Sequence, residues 1–69
     1  MLFTDVSPAR AQRAFEKVGF RVIRQGKHIV MSDGQRYLTI PRHNPINPYT
    51  LRILIRAAEL TDERFRELL

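Results

Sequence analysis

Apolar positions along this chain recur first at a helical period, then alternate as in strands, then return to the helical period. Ser7-Pro8 reads as an N-cap with proline at the first helical position, where the missing N–H costs nothing. Ala11, Ala14, Phe15 and Val18 follow at helical spacing, and Gly19 supplies the stop. Arg10, Arg13 and Lys17 fall on a different face of the same helix. Three short strands come next, over 20–25, 28–31 and 36–40. The turns between them are Gly26-Lys27 and Asp33-Gly34. Read as two-residue hairpins, these turns set Val22 against Met31, Ile23 against Val30, Ile29 against Leu38, Val30 against Tyr37 and His28 against Thr39. Alternation then gives a core face of Phe20, Val22, Ile29, Met31, Leu38 and Ile40. The opposite face carries Arg21, Ile23, His28, Val30, Tyr37 and Thr39, with Ile23, Val30 and Tyr37 forming an apolar row across it.

Pro41 ends the third strand, and Arg42-His43-Asn44-Pro45-Ile46 reads as a loop. Asn47-Pro48 repeats the cap-plus-proline signal and starts a second helix, with Leu51, Leu54, Ile55 and Ala58 as its buried stripe. Thr61 caps a short last helix whose Asp62 and Glu63 suit its dipole; Phe65, Leu68 and Leu69 face inward. The expected fold class is α+β in one domain spanning residues 1–69. Its order is a helix, a three-stranded antiparallel sheet, a helix and a short C-terminal helix, with the helices on one face of the sheet.

Sixty-nine residues bury only about 60% of the surface that the unfolded chain exposes, so the core is thin. Cysteine is absent, so neither a disulfide nor a thiol contributes. No apolar run approaches the ~20 residues of a membrane helix, and the first residues lack a signal-peptide pattern. A cytoplasmic protein away from the membrane is expected. The net charge is +5, unevenly placed: residues 1–56 carry +7 and residues 57–69 carry −2. Such a cationic body suits a nucleic acid or an acidic protein partner.

His28 stands just past the Gly26-Lys27 turn among these cations. Imidazole is the side chain best suited to moving protons near neutral pH, which points to phosphodiester chemistry on RNA. A lone histidine beside a turn is more commonly a plain surface residue, so position alone does not decide its role. Lys27 beside it, Arg24 across the turn and Arg42 in the later loop are the candidate phosphate-binding cations. Tyr37 on the open face is suited to stacking on a base or to ordinary cross-strand packing. His43, in its proline-flanked loop, reads first as a residue bonded within that loop. Two histidines with no cysteine form no metal-ligand cluster, so no metal and no cofactor is expected.

From Gly19 onward the chain resembles the HicA (YcfA-like) family of mRNA interferase toxins, which pair with HicB antitoxins. The segments that carry the likeness are Gly19-Phe20, Arg24-Gln25-Gly26-Lys27-His28-Ile29-Val30-Met31 and Leu38-Thr39-Ile40-Pro41-Arg42-His43-Asn44. Tyr49-Thr50-Leu51-Arg52-Ile53-Leu54-Ile55 and Ala58-Glu59-Leu60-Thr61 with Phe65 complete it, over about fifty residues. The resemblance implies a fold like a double-stranded-RNA-binding domain. It also implies metal-independent mRNA cleavage by one histidine in a Gly-Ser-His-like motif, here Gly26-Lys27-His28. Lys27 replaces the commoner serine, and Glu59 stands where glycine is usual.

On this reading His28 is the catalytic residue, and Arg24, Gly26, Lys27, Tyr37 and Arg42 bind substrate. An antitoxin covering the apolar row would block the histidine and neutralise the cations, and dimerisation through the same face is the rival use. A non-catalytic RNA-binding module on the same scaffold is the alternative function. A pure protein–protein adaptor is a third, and it predicts no salt-sensitive RNA affinity.

Overall fold

The computed structural model describes residues 2–69. The element order is α1 (Pro8–Glu16), β1 (Arg21–Gln25), β2 (His28–Ser32), β3 (Tyr37–Pro41), α2 (Pro48–Ala57) and α3 (Asp62–Leu68). This is the expected α+β class, with the three strands in the order β1-β2-β3 and both pairs antiparallel.

Each helix starts where its cap places it. Ser7 Oγ accepts from the Arg10 N–H, Asn47 Oδ1 from those of Tyr49 and Thr50, and Thr61 Oγ1 from that of Arg64. These bonds satisfy N–H groups that the first helical turn leaves without partners. The helices share one core with one face of the sheet. Ala11, Ala14 and Phe15 of α1, Leu51, Leu54 and Ile55 of α2, and Phe65 and Leu68 of α3 are buried with Ile29, Met31, Leu38 and Ile40. Phe15 is central, with its ring 6.0 Å from that of Phe20 and 5.3 Å from that of Phe65. Lys17 Nζ donates to the Leu68 carbonyl at 2.8 Å, tying α1 to the end of α3. Ile46, expected within a loop, is fully buried, and its N–H donates to the Val6 carbonyl.

Both hairpins depart from the expected register. In the β2–β3 hairpin Ser32 pairs with Tyr37, Met31 with Leu38, Val30 with Thr39, Ile29 with Ile40 and His28 with Pro41. Four residues, Asp33–Arg36, make the turn instead of two. Their own side chains hold it: Asp33 Oδ1 accepts from the N–H groups of Gln35 and Arg36, and Ser32 Oγ from that of Gly34. The shift is by two residues, so every side chain keeps its face.

The β1–β2 hairpin differs by one residue. Val22 pairs with Met31 as expected, but Arg24 pairs with Val30 and Gln25 with Ile29, leaving Ile23 as the extra residue of a β-bulge. The cause lies in the turn. A two-residue hairpin here needs a left-handed glycine at its first position, and Gly26 is not left-handed. The connection therefore takes three residues, and the bulge absorbs the odd one so that Val22 stays against the core.

The expected apolar row of Ile23, Val30 and Tyr37 consequently does not form. Its place is taken by Arg24, Val30 and Thr39.

Candidate functional site

His28 opens β2 on the sheet face that the helices leave uncovered, and its side chain is exposed. Its neighbour in the next cross-strand row is Arg24, opposite Val30. Strict alternation would have sent Arg24 to the core side. The bulge at Ile23 turns it onto the histidine's face, a re-aiming that bulges commonly produce. Arg24, Gly26, Lys27, His28 and Val30 line one shallow concavity of about 300 Å³. Two cations and no carboxylate border it.

Arg42 belongs to the same corner. It follows Pro41, the residue opposite His28, and reaches back to the turn. Its Nε–H donates to the Gly26 carbonyl at 2.9 Å, and Nη2 donates to Gln25 Oε1 at 3.5 Å. Within the turn, the Gly26 N–H donates to the His28 carbonyl.

Ion pairs away from this corner join Arg36 to Asp33 and Glu59, and Arg64 to Glu67. The shifted carboxylate is also distant from the histidine. Asp33 is held below the usual carboxylate range, first by the Arg36 backbone N–H and then by that of Gln35. Arg36 is raised, chiefly by its hydrogen bond to Glu59. Arg24 and Lys27 keep their charge available to an anion, because no acidic side chain pairs with either among the described residues.

Tyr37 is not part of the cluster. Its partner Ser32 lies four residues along β2 from His28, roughly 13 Å at 3.3 Å per residue. The ring is 69% exposed on the same face, one strand over. His43 is also exposed, in a separate hollow with Pro41, Pro45, Asn47 and Thr50. A larger hollow beside α1 and β1, lined by Gln12, Glu16 and Arg21 among others, holds no histidine. Among the described residues no group of three His, Cys, Asp or Glu side chains is placed to hold a metal ion. Among the described residues no helix is long and apolar enough to cross a membrane.

Sequence reasoning missed the Gln25–Arg42 contact and the bulge that turns Arg24. No signal in the dipeptide would have found the bulge, because Gly-Lys also suits a two-residue type II′ turn.

The fold and the site together define a small α+β protein that offers an exposed imidazole on an open sheet beside Arg24 and Lys27, which pair with no carboxylate among the described residues. The family model described as the HicA toxin of bacterial toxin-antitoxin matches residues 9–60. The chain belongs to the HicA toxin family and is the toxin of a toxin–antitoxin pair, which implies an antitoxin partner. Comparison with curated proteins and with solved structures finds no match.

Proposed function

We propose that this toxin is an endoribonuclease that cleaves mRNA with His28 as general base, using neither metal nor cofactor, and that a HicB-like antitoxin silences it. One observation carries the reading: the exposed imidazole shares a concavity with Arg24 and Lys27, and no carboxylate lines it.

In the proposed step, neutral His28 takes the proton of an RNA 2′-hydroxyl. The 2′-oxygen attacks the adjacent phosphorus, and the bond from phosphorus to the 5′-oxygen breaks. The departing oxygen takes a proton from water, leaving a 2′,3′-cyclic phosphate. General base catalysis supplies about 10²–10⁴-fold, so the step needs further help. Arg24, Lys27 and Arg42 provide it by offsetting the charge that builds on the phosphorane oxygens and by holding the attack in line. Gly26 lets the RNA backbone approach closely.

The antitoxin covers the open face, seats acidic side chains on Arg24 and Lys27, and packs on Val30 and the exposed Ile23. Self-association through this face is disfavoured, since two copies would bring like charges together. The site of action is the cytoplasm, where mRNA is available.

Single-stranded RNA incubated with the purified toxin in EDTA tests the reading, with His28→Ala as control. Cleavage by the parent alone, with a cyclic-phosphate end, supports it. Salt-sensitive binding without cleavage by either protein overturns it in favour of an RNA-binding module.

A further inference from the structure

We infer that Arg42 is a positioning residue for His28, braced by Gln25, and not simply one more phosphate-binding cation. The inference deepens the ribonuclease reading and rests on it for one arm of its test.

The three residues between paired Gln25 and Ile29 stand at the exposed tip of a hairpin. Their own backbone bond is the one from the Gly26 N–H to the His28 carbonyl, at 3.1 Å. Gly26 adds no restraint of its own, because glycine has the least restricted backbone of any residue. Beside the pairing of His28 with Pro41, a further fixed point is the Gly26 carbonyl, which Arg42 Nε–H holds at 2.9 Å. Arg42 is anchored in turn by Pro41, the residue opposite His28. The two ends of the contact thus meet at the histidine: Gly26 leads into it along the chain, and Pro41 faces it across the ladder. Gln25 Oε1, 3.5 Å from Nη2, adds a weaker restraint on the guanidinium plane.

A guanidinium has five N–H donors. Two are used on the turn, and three stay free for a phosphate oxygen. Lysine cannot divide its work in this way, because an ammonium is a compact point charge without a fixed fork. Arg42→Lys therefore keeps the charge at the site and loses the geometry, which separates positioning from simple attraction.

The test measures cleavage kinetics and backbone dynamics on Arg42→Lys, Arg42→Ala and Gln25→Ala. Small misplacements of a reacting group cost up to about 10²-fold in rate. We expect kcat of Arg42→Lys to fall roughly tenfold or more while KM stays within about twofold, with a smaller fall in kcat for Gln25→Ala. Arg42→Ala should lose on both constants. In the free protein, the ¹H–¹⁵N heteronuclear NOE at Lys27 and His28 should match the strands in the parent and drop in all three variants, with Tm little changed.

Wild-type kcat in Arg42→Lys, or an unchanged NOE at the turn, overturns the inference. A parent protein that cuts no RNA sinks the ribonuclease reading instead, and the NOE alone then decides whether Arg42 orders the turn.

Discussion

Arg36 grips one carboxylate oxygen of Glu59 with two nitrogens, Nη2 at 2.8 Å and Nε at 3.1 Å, joining the β2–β3 turn to the end of α2. Glu59 holds this position in a left-handed conformation, φ 60°. It ends the helix as glycine would: its N–H donates to the Arg56 carbonyl and the Leu60 N–H donates to that of Ile55. The departure from the family's usual glycine thus leaves the cap in place. An L-residue in this conformation costs roughly 1–2 kcal/mol, and an exposed, salt-screened ion pair offsets only part of that. Glu59→Ala keeps the strain and loses the pair, so it should be the least stable form. Glu59→Gly should exceed Glu59→Ala by about 1 kcal/mol in urea unfolding. Equal stability of the two variants would show that the left-handed cap carries no strain worth relieving.

Asp33 makes the same turn sensitive to acid. The N–H groups of Arg36 and Gln35 stabilise its charged form, so its folded pKa lies below the unfolded value, near 3.8. The sign follows from that order. This contribution is fully present above the unfolded value and is lost as pH falls through the folded one. Asp33→Asn keeps a side-chain oxygen for both N–H groups but cannot titrate. Its Tm should vary less with pH than the parent's below about pH 4. Parallel Tm curves for parent and variant across that range would contradict the assignment.

The core was legible from residue pattern because its constraints are local. Proline after a capping residue fixed the starts at Ser7 and Asn47, and alternation with a helical stripe identified Ile29, Met31, Leu38, Ile40, Leu51, Leu54 and Ile55 as buried. Register was less legible, since it depends on how each turn satisfies its own N–H groups. Asp33 and Ser32 build a four-residue turn from side-chain oxygens, and nothing in the dipeptide Asp33-Gly34 distinguishes that from a two-residue one. Sequence reasoning put Arg24, Gly26, Lys27, His28 and Arg42 in one neighbourhood, as the fold does, but it added the distant Tyr37 and missed the geometry. Arg24 reaches the face of His28 through a bulge, and Arg42 reaches the turn across a strand pair. Both relations are tertiary.

Gly26 offers a separation of folding from function. Its backbone is not left-handed, and a Cβ built on it meets no atom within 4 Å. The folded chain has no steric need for glycine there. A methyl group would instead project into the space where an RNA backbone must approach His28 and Lys27. Gly26→Ala should unfold at a Tm within a few degrees of the parent's yet cleave RNA at least about tenfold more slowly, the penalty expected for a modest displacement of the reacting phosphate. Cleavage at the parental rate would remove Gly26 from the substrate-binding set.

Tyr37 distinguishes cutting from holding. Its backbone stands in a row roughly 13 Å along the sheet from that of His28, outside the cluster that would hold the reacting phosphate. The ring is close enough to meet a base further along the same strand of RNA. Stacking on an exposed aromatic ring is worth about 1–3 kcal/mol per base. Tyr37→Ala should therefore leave the cleavage rate of a dinucleotide unchanged while weakening binding of an oligonucleotide of several residues about fivefold or more. The parent should show a matching preference for the longer substrate, expressed in KM and not in kcat. A variant that loses dinucleotide cleavage would mean that the RNA crosses the sheet along a path bringing Tyr37 to the reacting phosphate. One that binds every length like the parent would mean that the ring meets only the antitoxin or solvent.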